Sequence, residues 1–104
     1  MRNLGPSELA EHLTDHRPVL LDVREPWEYA ICHIEGSQLM PMGQIPAHLD
    51  DFDYGQEIVV ICHHGIRSRQ VAMYMEHMGF HNVVNLLRGI DGWAREVDRE
   101  MAVY

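Results

Sequence analysis

Short apolar runs alternate with polar, turn-forming stretches along this chain, and their spacing switches between the period of a strand and that of a helix. Val19-Leu20-Leu21 is a continuous apolar run ending in Asp22, the pattern of a strand covered on both faces. Ile58-Val59-Val60-Ile61 is β-branched throughout and reads as a central strand. Val83-Val84-Asn85-Leu86 is a further strand, and Gln38 to Met42 a brief extended segment punctuated by Pro41 and Gly43. Helical spacing lies between these runs. Leu9, Ala10 and Leu13, with Pro6 in the first turn, predict an opening helix. Glu25 to Ala30 predicts a short helix that tolerates Pro26 in its first turn, and Ile45, Leu49 and Phe52 repeat at helical intervals. Val71, Tyr74, Met75 and Met78 mark one helical face, with Gly79 as its stop signal, and Gly89 to Val97 forms a last short helix carrying Trp93. Trp27 and Trp93 are expected to pack, as are the methionines of the Val71 face.

Strands alternating with helices imply an α/β domain with a mostly parallel sheet. Ligands of such sheets bind beyond the carboxyl ends of the strands. Polar, reactive residues stand at two of these ends: Asp22-Val23-Arg24 and Cys62 through Ser68. The 104 residues fit one domain, 1–104, without a repeat or linker.

Composition narrows the function. Sixteen acidic against eight basic residues give a formal charge of −8, which argues against nucleic-acid backbones and anionic membranes as partners. An anionic substrate therefore needs a pocket that supplies its own positive potential. No apolar run approaches the roughly 20 residues of a membrane span, and two cysteines make no disulfide framework. A soluble protein of the cytoplasm is the expectation. Metal binding is not expected: Cys62-His63-His64 are adjacent and seldom converge on one ion, and no second ligand pair stands at zinc spacing. His12, His16, His48, His77 and His81 read as surface residues, and Asp50-Asp51-Phe52-Asp53 as a solvated turn.

The chemistry concentrates at Cys62. A strand–loop–helix places its sulfur at the end of the sheet, facing a helix that begins near Arg67 or Ser68. Helix N-termini carry unsatisfied N–H groups and about half a positive charge. A short loop can point further N–H groups inward, and Gly65 gives that loop backbone freedom. Such surroundings favour thiolate over thiol. Arg67 adds a permanent cation suited to an anionic donor such as a thiosulfonate or sulfonate. A thiolate that takes a sulfane sulfur becomes a persulfide, splitting one transfer into two easier steps, and needs no general base. A buried, inert cysteine is the competing reading of position alone; the loop that follows favours function.

With these residues the chain resembles the rhodanese family over nearly its whole length. Four segments carry the likeness: Leu21 to Glu25 with Glu28-Tyr29; His33-Ile34-Glu35-Gly36-Ser37; Cys62 to Ser68; and Leu87-Arg88-Gly89-Ile90-Asp91-Gly92-Trp93. The resemblance implies a five-stranded parallel sheet flanked by helices on both faces, and a sulfurtransferase with no cofactor. It implies a persulfide on Cys62, a cradle of backbone N–H groups from His63, His64, Gly65, Ile66 and Arg67, and an Arg67 that helps bind the donor. Thiosulfate is the expected small anionic donor, and cyanide, a thiol or a protein the acceptor. Asp22 and Arg24 match positions that support the active-site loop. Cys32 stands where the family commonly has glycine; it reads as a small buried residue, with a resolving disulfide to Cys62 as the alternative. His63-His64 also departs from many relatives, and these side chains are candidates for tuning acceptor docking. Two rivals remain. Cysteine-type phosphatases and arsenate reductases have a similar cradle, but with five residues between cysteine and arginine; here there are four, a loop tight around one sulfur atom. A non-catalytic or relay module of the same fold is the other.

Overall fold

A computed structural model describes all of residues 1–104. Five strands form one sheet in the order β1-β5-β4-β2-β3: β1 (Arg2–Leu4), β2 (Val19–Asp22), β3 (Gln38–Leu39), β4 (Ile58–Ile61) and β5 (Val83–Leu86). Every pairing is parallel. The β-branched run of β4 is fully buried because β2 and β5 flank it and both its faces are covered. Along β4, side chains alternate between two cores. Ile58, Val60 and Cys62 join Val71, Ala72 and Met75 of α3 (Ile66–His77) with Ile45 and Phe52. Val59 and Ile61 join Leu9 of α1 (Pro6–His12) with Ile90 and Trp93 of α4 (Gly89–Glu96). Helices therefore cover both faces of the sheet, as the sequence and its resemblance implied.

Several local expectations change. β1 carries no apolar signal, since Arg2 and Asn3 are exposed at the sheet edge, and backbone pairing to β5 alone makes it a strand. Ile45 to Phe52 lies largely within a 3-10 segment, Met42–Asp51, whose internal Pro46 cannot donate the bond an α-helix would need. The helix expected over Glu25 to Ala30 is α2 (Pro26–Ile31), with Glu25 as N-cap. Its Trp27 does not pack into a core but is 63% exposed, whereas Trp93 is buried. Met75 is fully buried, but Met78 ends α3 and is exposed like Met73. Of the histidines expected at the surface, His12 is half-buried, its Nε2 2.7 Å from Glu57 Oε1.

The register places Asp22 opposite Ile61, so the chain leaves β2 and β4 at the same edge of the sheet. That edge holds the site.

Candidate active site

The loop from Cys62 to Gly65 joins β4 to α3, and its shape follows from what holds it on either side. Ile90 N–H donates to the Cys62 carbonyl at 2.8 Å and Asp91 N–H to the His63 carbonyl at 3.1 Å. The unsatisfied first turn of α4 thus fixes the loop's carbonyls from outside. Two glycines make this approach possible. A side chain at Gly89 (φ 56°) would lie 2.3 Å from the Cys62 carbonyl oxygen. Gly65 caps α3 at φ 98°, a left-handed conformation, with the β5–α4 turn against its α-carbon.

Gly65 N–H donates to Cys62 Sγ at 3.0 Å, and the sulfur lies 3.3 Å from Ser68 Oγ. Ile66 and Arg67 open α3, so their N–H groups have no intrahelical acceptor. Cys62 is 1% exposed, a sulfur nearly enclosed by its own loop. Around it Gly65 is buried, His63 and Arg67 are half-buried, and His64 and Ile66 are exposed. Burial, reinforced by neighbouring His64, holds His63 below the usual histidine range. Its ring stacks on Tyr104 at 3.8 Å.

Arg67 is a paired cation. Its Nη1 and Nη2 donate to the two carboxylate oxygens of Glu28, at 2.7 and 2.9 Å. Glu28 also accepts from the Tyr104 hydroxyl at 2.8 Å and from Glu25 N–H at 3.0 Å. The Arg67 guanidinium holds the Glu28 carboxyl at about 2, against the opposing effect of burial. Because that value is depressed from 4.5, the pair contributes stability above pH 4.5, lost progressively as pH falls toward 2. Glu28→Gln is therefore expected to flatten the acid limb, losing less stability than the parent between pH 6 and pH 3; urea midpoints at both values check this.

Asp22 and Arg24 are wholly buried and paired, Arg24 Nε and Nη2 donating to Asp22 at 2.9 and 2.8 Å. Arg24 also donates to the Cys32 carbonyl at 2.7 Å, the Glu28 carbonyl at 3.3 Å and the Tyr104 hydroxyl at 2.9 Å. Burial opposes its charge, yet the bonds to Asp22 and Tyr104 outweigh burial and raise its pKa. The pair's hydrogen bonds go to α2, to the Cys32 carbonyl that follows it and to the C-terminal residue; they connect to the Cys62 loop through Glu28 and Arg67 and through Tyr104, whose carbonyl lies 3.0 Å from His63 Nε2. Cys32 and Cys62 are both free thiols, and they pack in the two different cores on opposite faces of the sheet. No group of three or more His, Cys, Asp or Glu side chains is placed to hold a metal ion, and no helix is long and apolar enough to cross a membrane.

Sequence reasoning assigned no role to Glu28, Ser68, Asn85 or Tyr104. Glu28 bonds Arg67, Ser68 Oγ lies 3.3 Å from Cys62 Sγ, the Tyr104 carbonyl lies 3.0 Å from His63 Nε2, and Asn85 joins through Ser68, which donates to its Oδ1 at 2.6 Å. Asn85 did leave a signal: a polar residue inside an apolar, buried strand needs a partner.

The profile of the rhodanese-like domain matches residues 5–96. The chain belongs to the rhodanese-like domain family. A thiosulfate sulfurtransferase, GlpE, of Pseudomonas fluorescens is 34% identical over 97 residues, 93% of this chain and 89% of the relative. GlpE of Actinobacillus pleuropneumoniae is 30% identical over 92 residues, 88% of this chain and 85% of the relative. Among solved structures, a protein from Staphylococcus saprophyticus superposes with a TM-score of 0.85 at 37% identity, covering 93% of this chain and 97% of that one. A rhodanese-like domain protein from Staphylococcus aureus gives 0.85 at 30% identity, covering 100% and 99%. This rhodanese-like fold thus brings to one sheet edge the Cys62 loop, the Arg67–Glu28 pair and the buried Asp22–Arg24 pair.

Proposed function

We propose that the chain, as one domain over residues 1–104, is a sulfurtransferase. It moves a sulfane sulfur from a small anionic donor such as thiosulfate to a thiophilic acceptor through a persulfide on Cys62. The observation that carries this reading is a nearly enclosed Sγ with the Gly65 N–H directed at it and the first-turn N–H groups of α3 beside it. In the first step the Cys62 thiolate attacks the outer sulfur of thiosulfate, the S–S bond of the donor breaks, and sulfite leaves with the electron pair. In the second, cyanide, a thiol or a protein thiol in the cytoplasm attacks the outer sulfur of the persulfide and Cys62 leaves as thiolate. The reacting thiolate and the persulfide are both anionic, so N–H donors directed at the sulfur stabilise both. Sulfurtransferase relatives that span most of their own length with this chain support the same reading.

The enclosed sulfur also favours a single-atom cargo over a tetrahedral oxyanion, which needs room for three further oxygens. Arg67 keeps its Nε–H beyond the two groups Glu28 engages, and its side chain is 33% exposed, so it can meet a donor while paired. His63 to Arg67 then bind the sulfur by backbone, and Arg67 the donor by charge. Arg67→Ala is expected to raise the apparent KM for thiosulfate several-fold more than it lowers kcat, because a uniform binding contact is lost. Steady-state turnover of thiosulfate with cyanide tests the function and this split together; no turnover with any thiosulfonate donor would count against the assignment.

A further inference from the structure

A buried polar chain leads from the sulfur to the far edge of the sheet. Cys62 Sγ lies 3.3 Å from Ser68 Oγ, Ser68 donates to Asn85 Oδ1 at 2.6 Å, and Asn85 Nδ2 donates to Asn3 Oδ1 at 3.2 Å. Ser68 is 0% and Asn85 1% exposed, while Asn3 sits opposite Asn85 on the exposed edge strand β1.

A hydroxyl has a single proton to give. Here Asn85 receives it, so Ser68 turns a lone pair toward Sγ. That arrangement suits a thiol, which donates, and opposes an anionic sulfur, which needs a donor. Turning the Ser68 proton to the sulfur would leave Asn85 Oδ1 without a donor inside the core, a costly state. The cost vanishes if the Asn85 amide rotates end for end, presenting its NH2 to Ser68 and its oxygen to Asn3. The two ends of an amide have nearly the same shape, and Asn3 at the surface is free to rotate in answer.

We propose that Asn85 is a positioning residue that, by holding or releasing the Ser68 proton, sets how readily Cys62 carries an anionic sulfur. The proposal rests on the reading of Cys62 as sulfur carrier. The titratable and charged groups around the loop are Asp22 at the end of β2, Arg24 just beyond it, Glu28 of α2, His63 and His64, Arg67 of α3, Arg88 in the turn before α4, Asp91 of α4, and Tyr104; β5 itself contributes none. None of them is hydrogen-bonded to the Asn85 side chain, so an effect of Asn85 that requires Ser68 reports the hydroxyl.

The test is the pH profile of iodoacetamide alkylation of Cys62, measured in a Cys32→Ala background so that one thiol is read. In Asn85→Leu the Ser68 hydroxyl loses Asn85 as its acceptor and is free to turn its proton to the sulfur. The alkylation midpoint is expected to move to lower pH, with alkylation about tenfold faster below the midpoint, the worth of one hydrogen bond to a charged group. In a Ser68→Ala background the same Asn85→Leu change is expected to move nothing. A midpoint unchanged by Asn85→Leu, or shifted equally without Ser68, overturns the proposal. Should Asn85→Leu fail to fold, Asn3→Ala at the exposed edge loosens the same amide and is expected to shift the midpoint in the same direction by less. No shift there overturns it as well. Alkylation requires no sulfur donor, so a shift without persulfide formation would support the role of Asn85 while removing the transfer reading.

Discussion

Cys62→Ser is expected to abolish sulfur transfer while leaving the fold and its thermal midpoint nearly unchanged. The substitution is close to isosteric, and serine can accept from Gly65 N–H at the 3.0 Å position the sulfur holds. What it cannot do is form a persulfide: its alkoxide is not accessible near neutral pH without a base, and no general base is hydrogen-bonded to the Cys62 side chain, whose partners are Gly65 and Ser68. Loss should therefore be complete within the background of the thiosulfate–cyanide reaction, many orders below the parent. Residual turnover at a tenth of the parent rate would place the chemistry elsewhere.

Arg24→Leu is expected to be the most damaging change to stability among the site residues. It leaves the Asp22 carboxylate at 0% exposure without its cation, and it strips donors from the Cys32 and Glu28 carbonyls and the Tyr104 hydroxyl. Breaking a buried pair from one side costs about 3–5 kcal/mol, a large share of the stability of a domain this size. Removing both partners, with Asp22→Leu and Arg24→Leu together, is expected to recover part of that loss because no lone charge stays buried. Urea midpoints of the single and double variants check the pair. A single variant within about 1 kcal/mol of the parent would mean that the Asp22 charge finds compensation the geometry does not provide.

The parts of this molecule that were legible in the sequence are those where the side chain itself dictates the outcome. The β-branched β4, the apolar β2 run and the Val71–Met75 face declared strands and a helix because burial governs them. Cys62, Gly65 and Arg67 could be assembled into one loop because a strand end, a glycine and a helix start have few ways to meet. β1 was not legible from its residues, since its reason to be a strand is the backbone of β5, eighty residues away. Trp27 misled for the opposite reason: its hydrophobicity predicts packing, but α2 turns Glu28 inward to meet Arg67 and leaves the neighbouring Trp27 outward. The Glu28 partner of Arg67, and the Tyr104 hydroxyl that bonds Glu28 in turn, are likewise products of tertiary folding. No spacing rule links residue 28 to residue 67, and a single sequence shows a buried carboxylate only after the structure has buried it. The same holds for the contacts of Arg24, which reach the Cys62 loop through Glu28 and Tyr104.

The reduced protein, incubated with thiosulfate, desalted and weighed intact, gives the most direct test of the central claim. The account predicts a gain of one sulfur atom, removed by cyanide and never acquired by Cys62→Ser. A parent protein that gains no sulfur from thiosulfate, or a Cys62→Ser variant that gains it equally, would contradict a persulfide on Cys62.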